Sequence, residues 1–195
     1  MNLIEELKNY CDINNPVGAL MLSGEWGCGK TYLIKTKFIP SVKDTYVFVC
    51  ISLFGIDSLD KLRVEVKKKW LEKASEFDSL NGTKVSRVAD SCRRIFDTIK
   101  DRLPENWQKK GEVVSSIMDL INFMPISNRM FEKKVILVFD DLERTNISCT
   151  DLLGCINDYC ENQGFNTIIV ANEEKIKDRS DNELSYREIK EKIVQ

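Results

Sequence analysis

The sequence predicts an α/β fold: three layers, with a mainly parallel sheet between helices. Three observations predict it. Apolar runs of strand length recur along the chain, in "VGALMLS", "TYVFVCISLF", "KKVILVF" and "NTIIVAN". Between them lie stretches whose apolar residues fall at helical spacing. The runs are nearly continuous rather than alternating, as in strands covered on both faces.

Taken in order, Leu3, Leu7 and Tyr10 share one helical face, so a short helix over 3–11 opens the chain, and "NNP" ends it. "VGALMLS" reads as a fully buried first strand. The glycine-rich "GEWGCGKT" follows, and "KTYLIKTKFI" reads as a helix that stops before Pro40, since proline pushes the preceding residue out of the α region. "TYVFVCISLF" is the second strand, rich in β-branched and aromatic residues.

From about 57 to 131 the pattern is helical. Leu59, Leu62, Val66, Trp70, Ala74 and Phe77 form one apolar stripe. Val85, Val88, Cys92, Ile95 and Ile99 form a second, closed by Pro104, and Val113, Ile117, Leu120 and Met124 a third, closed by Pro125. Residues 56–132 are therefore a helical insertion between the second and third strands of one domain spanning 1–195. "KKVILVFDDLER" is the third strand, ending abruptly in two aspartates. Ser148 to Asp151 forms a capping box that opens a helix through Tyr159, with Gly164 at its C-terminal cap. "NTIIVAN" is the fourth strand. Tyr186, Ile189 and Ile193 place a last amphipathic helix in the charged tail from Glu173 to Gln195.

Composition narrows the chemistry. A chain of 195 residues with 43% hydrophobic and 31% charged residues can bury a substantial core. A net charge of -2 exerts no general pull on nucleic acid or acidic membrane. The acidic N-terminus carries no secretory signal, and no apolar run reaches the roughly 18 residues that span a bilayer. The seven cysteines have no paired spacing, which fits a reducing cytoplasm. There is no histidine. Ser-His-Asp and Cys-His nucleophiles and histidine-ligated metals are thereby excluded, leaving carboxylate, lysine, tyrosine or thiolate as general base.

Gly24-x-x-x-x-Gly29-Lys30-Thr31 fits a phosphate-binding loop in the right context, with a strand before and a helix after. Glycines at 24, 27 and 29 permit backbone turns that aim amides at phosphate oxygens, and the following helix adds its positive end. The candidate nucleotide-binding set is Gly24, Glu25, Trp26, Gly27, Cys28, Gly29, Lys30, Thr31 and Tyr32. Lys30 reaches the β- and γ-phosphates, and Thr31 offers a hydroxyl to Mg²⁺. "VILVFDD" brings carboxylates to a strand's C-terminal end, where ligands gather in open α/β sheets. Asp140 is the second candidate Mg²⁺ residue, and Asp141 the candidate for polarising the attacking water; Glu143 is a substitute for Asp141 but reads first as an acid in the first turn of a helix. Asn172, just past "TIIVA", can orient that water or cap the helix at Glu173. Cys28 is a small loop residue beside Lys30. Arg144 either pairs with a carboxylate or meets a neighbouring subunit's nucleotide. The basic set Lys84, Arg87, Arg93, Arg94, Lys100 and Arg102 reads as a solvated face, with no interleaved aromatics to support nucleic-acid binding.

"GEWGCGKT", "VFDDLER" and "IIVANEE" together resemble the KAP family of P-loop NTPases, within the additional-strand ATPase division that includes AAA+ and STAND proteins. The resemblance spans 20–55 and 133–176. It implies a P-loop NTPase fold in which the Asn172 strand inserts between the phosphate-loop strand and the Asp140 strand. It further implies a fifth strand and a helical lid that this chain does not complete, so the chain reads as the N-terminal nucleotide-binding part of a longer protein or as a naturally shortened relative. ATP and Mg²⁺ are the implied ligands, with ATP hydrolysis driving a conformational switch in signalling or anti-phage defence. A protein partner or self-association through the insertion or the missing C-terminal region is expected, and no membrane span. A small-molecule kinase and a non-hydrolysing nucleotide-gated module are the alternatives.

Overall fold

β-branched and aromatic residues concentrate where the sheet forms. The computed structural model describes residues 2–81, 126–130, 132–177 and 183–194. Among them are β1 (Leu20–Ser23), β2 (Tyr46–Ser52), β3 (Arg129–Met130), β4 (Lys133–Asp140) and β5 (Asn166–Ala171). The spatial order is β1-β5-β4-β2 with every pair parallel, and β3 pairs antiparallel with β4. The mainly parallel sheet and the insertion of the Asn172 strand between its two neighbours are both as expected. Register aligns the strand ends: Ser23 faces Ala171, and Asp140 faces both Val170 and Ser52. The C-terminal ends of four strands thus meet along one rim.

Three local readings need correction. β1 is not fully buried: Leu20, Met21 and Leu22 are half-buried and Ser23 is exposed. It stands at one end of the strand order, and beyond it only a single parallel bridge, Ala19 with Val194, covers its outer side among the described residues. The helix after the glycine loop does not stop before Pro40. It runs as α2 (Lys30–Tyr32), a π-helical stretch (Leu33–Phe38) and α3 (Ile39–Val42). The wider turn, with the Ile39 amide reaching the Ile34 carbonyl, restarts the helix so that Pro40 sits in the first turn of α3, where its missing N–H costs little. β3 was unforeseen, since two residues have no readable period.

The remaining helices are α1 (Leu3–Asp12), α4 (Leu59–Asn81), a 3₁₀ turn (Leu142–Arg144), α5 (Cys149–Glu161), α6 (Glu173–Lys177) and α7 (Glu183–Ile193). Ser148 caps α5 as expected, accepting from the Asp151 amide at 3.1 Å while its hydroxyl donates to the Asp151 carboxylate at 2.7 Å. At φ +68°, Gly164 turns the chain out of α5; an added Cβ would also lie 2.8 Å from Asn128 Nδ2. The second and third apolar stripes of the helical segment, and the basic set from Lys84 to Arg102, lie outside the described residues.

Alternation along the strands divides the core. Tyr46, Phe48, Ile136, Val138, Ile168 and Val170 face Leu7, Tyr10 and Cys11 of α1 together with Ile34, Phe38 and Val42. Phe38 meets Phe48 edge to face at 5.5 Å. Each such side chain, fully buried, contributes roughly 1.5–3 kcal/mol. α5 packs on β5, and its Tyr159 ring lies 6.1 Å from Phe139 and 6.2 Å from Phe165.

The N-terminal rim of the sheet is fastened to the end of α1. Asn166 Nδ2 donates to the carbonyls of Tyr10 (2.8 Å) and Ile13 (3.0 Å). Lys134 Nζ donates to those of Cys11 (2.9 Å) and Ile13 (2.8 Å). The Tyr10 hydroxyl accepts from the Thr167 amide and donates to the Gly18 carbonyl. These contacts satisfy carbonyls that a helix end leaves without partners.

The chain divides into two compact units, 1–62 with 127–195, and 63–126. In the second, the described part is the bulk of α4, laced by pairs such as Lys69 with Glu72 (2.8 Å) and Lys73 with Glu76 (2.6 Å). Among the described residues, no helix is long and apolar enough to cross a membrane.

Candidate functional site

The site is built where β1 ends. The Gly24 amide donates to the Ala171 carbonyl at 3.2 Å, so the β1–β5 ladder reaches the first glycine of the loop. Gly27 and Gly29 then take φ of +80° and +89°, which a side chain would strain. No atom lies within 4 Å of where a Cβ would stand at either position, so the turn faces open space. Gly29 caps the helix in the left-handed conformation, and the Leu33 amide returns to its carbonyl at 2.8 Å. The amides of the first turn are thereby left for an outside acceptor.

Lys30 Nζ donates to the carbonyls of Gly24 (2.6 Å) and Glu25 (2.8 Å) and lies 3.8 Å from Cys28 Sγ. Its ammonium therefore spans the mouth of its own loop. The Thr31 hydroxyl donates to Asp140 Oδ1 at 3.0 Å, joining the loop to β4. Asp140 is buried, its Oδ1 also accepts from the Asp141 amide, and Lys35 Nζ lies 3.7 Å from Oδ2. Thr31 and Lys35 are four apart, so both look toward β4.

Asp141 stands in the left-handed region at φ +61°, which aspartate tolerates better than most residues. Its carboxylate accepts from Ser52 Oγ at 3.3 Å and pairs with Arg144 Nε at 3.5 Å. The Arg144 guanidinium lies over the rings of Trp26 (5.4 Å) and Phe54 (5.6 Å). The first reading of Arg144, pairing with a carboxylate, is met by Asp141.

Glu143 is as buried as Asp140, and its two oxygens take different partners. Oε1 accepts from the Trp26 indole N–H at 2.5 Å, and Oε2 from the Asn172 amide at 3.0 Å. Asn172 is itself buried, and its side-chain oxygen accepts from the Lys175 amide at 3.4 Å, capping α6. The loop, Asp140 and the end of β5 are thus one connected group, with Asn172 joined to the loop through Glu143. Tyr32, Trp26 and Cys28 are exposed. Sequence reasoning treated Glu143 as a first-turn acid and did not foresee its bond to Trp26. The available signal was spacing: three residues after Asp140, one tight turn returns a side chain toward the same rim.

The donor set suits Mg²⁺. A threonine hydroxyl and a carboxylate oxygen at 3.0 Å are hard ligands, and Mg²⁺ usually takes one or two protein oxygens beside phosphates rather than a full protein cage. The sequence matches the KAP family P-loop domain over residues 2–195. The chain belongs to that family. It is therefore a nucleotide-binding P-loop NTPase domain. No curated protein matches the chain.

Proposed function

We propose that this KAP-family domain binds ATP with Mg²⁺, hydrolyses it, and uses the nucleotide as a switch. The observation that carries the reading is the meeting of Thr31 and Asp140 at 3.0 Å beside a left-handed glycine turn that faces open space. Loop amides from Gly27 to Thr31 bind the phosphate oxygens. Lys30, now on its own loop's carbonyls, has an ammonium proton to turn toward the β- and γ-phosphates. Thr31 and Asp140 would hold Mg²⁺, which would supply positive charge to offset that of the phosphates. Asp141 polarises the attacking water and Asn172 orients it. Glu25, Trp26, Cys28 and Tyr32 complete the wall of the binding loop.

ATP as the base choice rests on kinship, and a cytoplasmic location on ATP as substrate and on cysteines without paired spacing. The helical insertion at 56–132 carries the nucleotide's effect to a protein partner or a second copy. One observation favours a non-hydrolysing module as second reading: the Asp141 carboxylate is already engaged by Arg144 and Ser52.

Isothermal titration with ATP-Mg²⁺ tests the primary reading. Lys30→Ala should lower affinity by at least about a hundredfold, as loss of a charged partner on phosphate does, while the circular dichroism spectrum is unchanged. Equal affinity in the variant would remove the phosphate-loop assignment. Phosphate release without any acceptor separates hydrolysis from binding alone.

A further inference from the structure

Trp26 sits in the half of the loop that carries no phosphate-binding amide assigned above, yet it is held from outside the loop by two side chains. Its indole N–H donates to the buried Glu143 carboxylate at 2.5 Å, and its ring lies 5.4 Å from the Arg144 guanidinium. Both partners belong to the Leu142–Arg144 turn that follows β4. The turn therefore grips the indole at its edge and at its face. Each jaw is fastened in turn, Glu143 by the Asn172 amide at 3.0 Å and Arg144 by Asp141 at 3.5 Å. The ring itself remains 55% exposed, so hydrophobic burial does not account for its placement.

We propose that Glu143 is a positioning residue which, through Trp26, holds the phosphate loop in its binding shape before nucleotide arrives. The proposal rests on the nucleotide-binding reading above. A loop carrying three glycines has much freedom to lose on closing around phosphate, and a constraint met in the free protein lowers that cost of binding. An indole N–H on a carboxylate is charge-assisted, which makes it a strong enough tie. Glu143 also holds the backbone at Asn172, so the same carboxylate links the loop to the end of β5.

The test combines one readout without nucleotide and one with it. The protein has three tryptophans, so three indole N–H signals are expected in a ¹⁵N correlation spectrum. Trp26→Phe removes one and keeps a ring facing Arg144. Glu143→Gln should move that same signal upfield, because an amide oxygen is a weaker acceptor than a carboxylate. Each variant should weaken ATP-Mg²⁺ binding about tenfold, and the double variant no more than either alone, since one interaction is removed once. An unmoved indole signal, unchanged affinity in Trp26→Phe, or losses that multiply to about a hundredfold would overturn the proposal. Should Glu143→Gln fail to fold, Trp26→Phe decides alone, because the exposed ring can be changed without opening the core. If the unaltered protein binds and Lys30→Ala does not, neutral clamp variants defeat only the clamp. If the unaltered protein binds no nucleotide, both readings fall.

Discussion

The two rims of the sheet use the same kinds of side chain for opposite ends. At the N-terminal rim, Asn166 and Lys134 donate to backbone carbonyls of the α1 end, all at 3.0 Å or less. At the C-terminal rim, Lys30 and Thr31 have partners too, but these lie on or beside a glycine turn that faces open space. Each N-terminal contact joins a strand to the last turn or C-cap of α1, so none can leave without taking a partner from a carbonyl of the helix end. Each C-terminal contact touches a loop or another titratable side chain, which a phosphate or a cation can replace. The lesson is that polarity at a strand end does not mark function by itself. What marks it is whether the partner is replaceable.

That contrast can be broken most directly at Asn166. Asn166→Ala removes both bonds, leaving the Tyr10 carbonyl with the Ile13 amide at 3.2 Å and the Ile13 carbonyl with Lys134 at 2.8 Å. It should cost about 1–2 kcal/mol in urea unfolding, the net worth of two hydrogen bonds, and leave ATP-Mg²⁺ affinity as it was. Lys30→Ala should show the reverse pattern, with affinity lost and stability kept. If Asn166→Ala weakened nucleotide binding as Lys30→Ala does, the rims would not be separate.

Most of the frame was legible because it rests on local signals. Strands declared themselves as β-branched runs, the loop by glycine spacing, and α5 by its capping residues. The strand order came only through the family resemblance, because a parallel apolar run does not say which neighbours it has. For the same reason β1 read as buried, although it stands at the end of the order. The π-helical stretch was hidden because Leu33–Phe38 has ordinary helical composition, and Pro40 looked like a stop. At the site, the motifs name Asp140 and Thr31 as candidates for one metal, and their side chains meet at 3.0 Å. No motif pairs Trp26 with Glu143, since 117 residues separate them and no periodicity links two loops. Nor does sequence tell that Asp141 turns toward Ser52 and Arg144.

A second, smaller effect sharpens the contrast through protons. At the N-terminal rim, burial pushes the Cys11 thiol up to about 12, with Asp12 adding to the shift and Lys134 opposing it. Burial likewise raises Cys160 to about 11 and lifts the Tyr10 hydroxyl above its ordinary value. Between pH 9 and those values the unfolded thiols have lost protons that the folded ones retain. Stability is thus full below about pH 9 and falls as pH rises toward 12, by at most about 1.4 kcal/mol per pH unit for each thiol. Cys11→Ala should flatten the alkaline limb of a stability–pH curve by about one proton, whatever it does to stability at neutral pH. An unchanged slope would show that Cys11 is not protected by the fold.

The smallest effect is expected at the thiol on the open rim. Cys28 is exposed and lies against the loop, with Lys30 Nζ at 3.8 Å, whereas Cys11, Cys155 and Cys160 are buried. Cys28→Ala removes little packing, and a small side chain still fits beside Gly24, where a Cβ would already come within 3.0 Å of the present sulfur. Stability should therefore move by no more than about 0.5 kcal/mol. Its value lies in labelling. In the native protein a thiol reagent should modify Cys28 without any opening of the fold, while the buried thiols wait for rare opening that slows them by a factor on the order of a thousand or more. ATP-Mg²⁺ seated in the loop should slow the Cys28 reaction and leave the buried ones alone. If Cys28 reacts only as fast as Cys11, the turn is closed rather than open, and the C-terminal rim is as fixed as its opposite.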